Sequence, residues 1–188
     1  KQNFATISHH EDVIMKLPAP QPRYIWFTTK ELMMQRWENM AQTSLILGQN
    51  SWNYLDILSR FSLIYPETTD KYLPQMLNYQ QWRGLSFNKG CYLGQEIVAR
   101  THHLGKLKRH LHQITSRMPL QCGQSIHHNN KEVGGIVLSA EIDHTYHALA
   151  VIQDDILNQV ENQQLAAEPS IEFVDMGETG ETEETKNA

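Results

Sequence analysis

The stretch Gly84-Leu85-Ser86-Phe87-Asn88-Lys89-Gly90-Cys91-Tyr92-Leu93-Gly94-Gln95-Glu96-Ile97-Val98-Ala99-Arg100 separates two kinds of pattern. Before it, apolar residues recur at helical spacing. Beyond Gly105 they fall into short alternating runs between turn residues. Leu107 to Ser116, Gln124 to His128, Val133 to Ala140, Tyr146 to Gln153 and Ser170 to Val174 read as strands. Asn129-Asn130 and Ile142-Asp143-His144 supply turns, and Gly134-Gly135 a bulge or a close approach. Such a series predicts a small antiparallel barrel or sandwich. Upstream, Arg23 to Thr28 reads as a strand after the Pro-rich run Leu17 to Pro22. Thr28 or Thr29 caps a helix to about Leu45, whose Leu32, Met33, Trp37 and Met40 are expected to be core. A second helix, capped at Asn50-Ser51, places Trp52, Leu55, Leu58 and Phe61 on one face. The fold class is α+β.

Within the dividing stretch, Cys91 lies between Gly90 and Gly94, beside Lys89 and just before a short helix beginning at Gly94. A cation and a helix N-terminus both favour thiolate over thiol, which suits a reactive or ligand-binding sulfur. Free cysteine is also a common small buried residue, and the residues alone leave both readings open. Leu93, Ile97 and Val98 are expected to anchor the helix on a core. Glu96 and Arg100, four apart, have the spacing of a helix ion pair. The alternative gives Gln95 and Glu96 the task of fixing the loop that carries Cys91. Trp52 likewise either enters a core or lines a pocket.

The segment Gly84 to Arg100 resembles the signature of the YgfZ family, folate-binding relatives of the T-protein (aminomethyltransferase) of the glycine cleavage system. Trp52 and the run Tyr72-Leu73-Pro74-Gln75-Met76-Leu77-Asn78 sit where that family has a tryptophan and a similar Pro-Gln run, so the likeness extends from about Trp52 to Arg109. Ordinary T-proteins lack the cysteine motif. The resemblance implies the C-terminal part of a T-protein-like folate-binding domain followed by a small antiparallel β-barrel. It divides the chain into a partial α+β folate-binding region (1–88), the cysteine motif and short helix (89–105), the barrel (106–176) and an acidic tail expected to be disordered (177–188). The opening Lys1-Gln2-Asn3 has no initiator Met, and the chain is expected to be part of a longer protein lacking the N-terminal half of that region.

By the same resemblance, tetrahydrofolate is the expected cofactor and Trp52 its binding residue. Cys91 is the reactive thiol, supported by Lys89, Gly90, Gly94, Gln95 and Glu96. The partners implied are folate and iron-sulfur enzymes or their assembly proteins, with an indirect link to tRNA through enzymes that modify it. The chain departs from the family at Leu58 and Arg60, where a carboxylate and a glycine are usual. A carboxylate there would pair with the polar edge of a pterin; Asp56, Glu67 and Asp70 are the alternatives. Two other functions are weighed: tetrahydrofolate-dependent aminomethyl transfer, and a tRNA-binding module built on the strip Arg100 to His112.

Composition narrows the classes further. The chain has 188 residues, 40% hydrophobic, and a formal charge of -5, which argues against indiscriminate nucleic-acid binding. Against that balance, Arg100 to His110 concentrates Arg100, Lys106, Lys108 and Arg109 with three histidines. The strip reads either as a solvated connection or as an attractor of phosphate or of folate's glutamate tail. No apolar run of about 18 residues is present, so no membrane association is expected. Cys91 and Cys122 form no C-x-x-C pair, which disfavours a disulfide framework and fits a reducing cytoplasm. Cys122 reads as a turn or barrel residue. The ten histidines lack ligand spacing, and no metal site is expected.

Overall fold

A computed structural model describes residues 4–17, 19–157, 160, 164, 165 and 167–174. The tail reading at 177–188 lies outside the described residues. The chain begins with an antiparallel three-stranded sheet of β1 (Thr6–His9), β2 (Asp12–Leu17) and β3 (Arg23–Phe27). Only Leu17 and Arg23 of these strands are buried. Helix α1 (Lys30–Thr43) follows, with Thr29 capping it: the hydroxyl accepts from the Leu32 N–H at 3.4 Å. No residue of α1 is buried. The Met and Trp stripe expected to be core is thus partly exposed, Trp37 at 48% and Met40 at 39%. Polar contacts tie α1 to the sheet. Arg36 bonds Asp12 at 2.7 Å and lies 5.0 Å above the Trp26 ring, and the Trp26 indole N–H donates to the same carboxylate at 2.9 Å. The Arg36 guanidinium holds the Asp12 carboxyl well below the usual carboxylate range.

Helix α2 (Gln49–Leu58) starts one residue before the expected cap, with Gly48 at the N-cap. Two short 3-10 turns follow, Pro66–Thr68 and Pro74–Leu77, and then α3 (Gln95–His103). The rest is one antiparallel sheet: β4 (Arg109–Ser116), β5 (Ser125–His128), β6 (Lys131–Ile142), β7 (Thr145–Gln153), β8 (Gln164–Leu165) and β9 (Ile171–Phe173), in the order β5-β6-β7-β4-β9-β8, with a short helix α4 (Asp154–Leu157) after β7. Asn129-Asn130 and Asp143-His144 make its two tight hairpins, all four residues with positive φ, as two-residue turns matching strand twist require.

The sheet curls into a half-barrel. Its edges meet where His127 and Glu168 exchange backbone hydrogen bonds of 3.0 and 2.8 Å. Both faces are buried, and the two-residue period sorts them. Ala148, Ala150 and Ile152 pack inside with Ile114, Ile126, Ile136, Ile171 and Phe173. Leu149 and Val151 point outward with Leu111, Val137, Leu138 and Ala140, where Ile57 of α2 and Leu77 cover them. Consecutive Val137 and Leu138 share the outer face because the β6–β7 register shifts between Ile136 and Leu138. Gly134 and Gly135 are sites of close approach: a Cβ would strike the Val151 carbonyl oxygen at the first and the Tyr72 hydroxyl at the second.

Candidate functional site

Helix α2 carries Trp52 and is held on the sheet by a face the sequence pattern did not select. Asn50, Tyr54 and Ile57, rather than Trp52, Leu55, Leu58 and Phe61, make its anchoring contacts. The Asn50 amide donates to the Glu141 carbonyl at 2.6 Å and accepts from the Glu141 N–H at 3.0 Å, as a neighbouring strand would. Tyr54 stands edge-on to His147 with ring centroids 4.8 Å apart, and Ile57 is fully buried. Phe61 lies beyond the helix end and meets Trp82 edge-on instead.

This docking leaves Trp52 half-buried on the first turn. The Arg23 guanidinium lies 5.2 Å from the Trp52 ring centroid and pairs with Asp56, one turn along α2, at 2.6 Å. Both charged side chains are about 95% buried. Burial pushes the Asp56 carboxyl up, while Arg23 pulls it down. Of the three carboxylates considered in place of Leu58, Asp56 is the one that shares a partner with Trp52. Glu67 and Asp70 are exposed, and Glu67 packs toward Gly123. Leu58 is half-buried, and Arg60 takes a left-handed conformation (φ 51°) just past the helix.

The cysteine loop is built differently. Cys91 is exposed and free. Gly94, with φ 84°, is the N-cap of α3, a conformation glycine adopts without penalty. Gln95 closes the turn in both directions: its side-chain oxygen accepts from the Tyr92 N–H at 3.1 Å, and its own N–H donates to the Tyr92 carbonyl at 3.2 Å. Lys89 places its ammonium 4.7 Å from the Tyr92 ring centroid. A Cβ at Gly90 would meet nothing within 4 Å, so sterics do not require that glycine. Glu96 is exposed and, among the described residues, forms no ion pair with Arg100. Gln95, not Glu96, therefore fixes the loop. The core anchor of α3 is Val98 alone, since Leu93 is 101% and Ile97 59% exposed.

One connection escaped the sequence reading. The buried Gln75 amide, from the Tyr72 to Asn78 run, donates to the Val98 carbonyl at 2.7 Å. The two stretches that carry the resemblance are thereby joined, the upstream one bracing the helix that follows Cys91. At the other end of α3, Phe87 stacks on His102 with centroids 3.8 Å apart and planes 11° from parallel, and His103 packs edge-on to both.

Other chemistry-bearing residues lie in the sheet. His112 is buried inside the half-barrel, edge-on to Phe173, with no hydrogen bond to its Nε2; burial, with His110 and Arg60 adding to it, pushes its pKa down to about 4. Cys122, at a turn, donates its thiol to the Val137 carbonyl at 3.0 Å, and burial pushes its pKa up. A cavity of about 540 Å³ opens beside the seam of the sheet between Met118, Gln124, His127 and Glu168, and neither Trp52 nor Cys91 lines it. Among the described residues, no cluster of three or more His, Cys, Asp or Glu could hold a metal ion, and no helix is long and apolar enough to cross a membrane.

No family model matches the chain. It is 42% identical over 105 residues to the tRNA-modifying protein YgfZ of Colwellia psychrerythraea, covering 56% of this chain and 32% of that protein. To the protein of the same name from Sodalis glossinidius it is 33% identical over 115 residues, covering 59% and 34%. To that from Yersinia enterocolitica it is 29% identical over 160 residues, covering 80% and 48%. The chain thus spans about a third to a half of the length of the curated relatives it matches. Over that shared length, the chain belongs to the YgfZ family.

Proposed function

We propose that this chain is part of a tetrahydrofolate-binding protein that supports iron-sulfur enzymes and, through them, the modification of tRNA. The relatives' name, tRNA-modifying protein, supports the last link. The observation that carries the folate reading is the Trp52, Arg23 and Asp56 group. A buried ion pair contributes little net stability, because desolvation of both charges offsets their attraction. One placed against a half-buried indole supports a ligand-binding reading of this group. These residues fit the ligand class: the Trp52 ring can cover a flat pterin or benzoyl ring, and the Arg23 guanidinium, paired with Asp56, lies 5.2 Å from the Trp52 ring centroid. Folate, when bound, supplies a one-carbon carrier. The chain's own residues bind and shield it, within a T-protein-like domain.

Cys91 acts, in this reading, as an exposed thiol acceptor, redox partner or transient ligand toward an iron-sulfur enzyme or its assembly protein. A lone cysteine does not hold a cluster, for which four protein ligands are usual. Aminomethyl transfer is the weaker reading, since it needs a carboxylate free to act near the reacting nitrogen and Asp56 is committed to Arg23. Anaerobic titration with tetrahydrofolate, followed by tryptophan fluorescence, tests the proposal. Saturable quenching that is much reduced in Trp52→Phe is expected. A folded protein that shows no binding would overturn it.

A further inference from the structure

We propose that the arm from Arg83 to His110 is an RNA-contacting surface that takes single-stranded nucleic acid by stacking on the Phe87, His102 and His103 rings and by phosphate contacts from Arg100, Lys106 and Lys108. In a chain of net charge -5, this arm carries six permanent cations, Arg83, Lys89, Arg100, Lys106, Lys108 and Arg109, against the single carboxylate of Glu96. Arg100, Lys106 and Lys108 are exposed and, among the described residues, form no ion pair. A cationic surface on an anionic chain attracts polyanions locally while the remainder repels them, which favours contact in one orientation. The aromatic cluster lies within the same arm. Phe87 and His102 are stacked, and His102 and His103 are exposed at the end of α3.

Rings interleaved with cations are the means by which proteins hold single strands, since every base has a face to stack and every linkage a charge. For the rings and the cations beyond α3, as distinct from the Cys91 loop, a protein partner fits less well. The centres of protein interfaces are depleted of charge, whereas here the cations flank the rings directly in sequence. The surface gives the chain a direct contact with RNA, beyond the indirect link proposed above. It involves no folate contact, so its failure leaves the tetrahydrofolate reading standing.

The test is fluorescence anisotropy of the 188-residue chain with labelled unfractionated tRNA and with a labelled single-stranded oligoribonucleotide, from about 50 to 200 mM salt. Saturable binding that weakens with salt is expected. Replacing Lys106→Ala and Lys108→Ala together should flatten the slope of log affinity against log salt by roughly 0.7 to 0.9 for each phosphate no longer neutralised. Phe87→Ala should weaken binding roughly tenfold with little change in slope. Phe87→Leu, which keeps apolar bulk without the ring, should weaken it comparably while circular dichroism and melting match the parent. No binding by the folded chain at low salt, or binding unchanged in both sets of variants, would overturn the proposal. So would equal affinity for polyglutamate that ignores Phe87, or an acidic protein bound through the lysines in place of RNA.

Discussion

The half-barrel and the cysteine arm obey opposite rules. In the sheet, residues such as Ile114, Ile136, Leu149 and Val151 are 0% exposed, and both faces are covered. In the arm, Leu93 is 101% exposed, Leu104 86%, and α3 reaches the core through Val98 alone. Full burial of an Ile or Leu side chain contributes about 1.5–3 kcal/mol. The sheet therefore holds the fold, while the arm is held by a few directed hydrogen bonds from Gln75 and Gln95. A thiol in the second setting is open to partners and contributes little to folding, as the proposed role of Cys91 requires.

The contrast can be tested by substitution. Phe173→Ala, in the interior of the sheet, should cost roughly 3–5 kcal/mol in urea unfolding. Next comes a dependence on acid. His112 has a folded pKa of about 4 against an ordinary value of 6.5, so it is held neutral in the native state. Its contribution is complete above the unfolded pKa. As pH falls from 6.5 toward 4, the unfolded chain takes up a proton that the native one refuses, and stability declines by on the order of 3 kcal/mol, levelling below that. Unfolding midpoints at pH 7 and pH 4.5 should differ less in His112→Leu than in the parent; equal differences would deny His112 this part. Asn50→Ala removes both hydrogen bonds to Glu141 and should cost about 1 kcal/mol. Leu93→Ala, in the arm, should move the midpoint by less than about 0.5 kcal/mol. A large loss there would mean that the arm is packed.

The sheet was the legible region because its signals are local. Asn129-Asn130 and Asp143-His144 are turn chemistry next to alternating runs, and five expected strands appear within a few residues of where they were read. Strands β1 and β2 carry no such signal. Their turn is made by His10 at φ 54° and Glu11 rather than by a glycine or asparagine, and β1 is exposed throughout, which leaves no apolar alternation to detect. The two-residue β8 is too short to carry a period. The docking face of α2 departs from its apolar stripe because one of its ties is polar. Asn50 counts as surface in any hydrophobic pattern, yet it bonds the backbone of a residue 91 positions away. The Cys91 loop was legible as a motif, and the Gln95 clasp was among its alternatives. The Gln75 brace and the Arg23–Asp56 pair were not, because each joins segments distant in sequence. Glu96, beside Gln95, makes no corresponding contact among the described residues.

The proposed role leaves Cys91, exposed and free, out of the fold and open to chemistry with a partner. Cys91→Ser, placed in the full-length parent protein and expressed in cells that lack it, tests this most directly, with an iron-sulfur-dependent tRNA modification as readout and thermal melting alongside. Melting indistinguishable from the parent and loss of the modification are expected. Full restoration of the modification by the serine variant would contradict it.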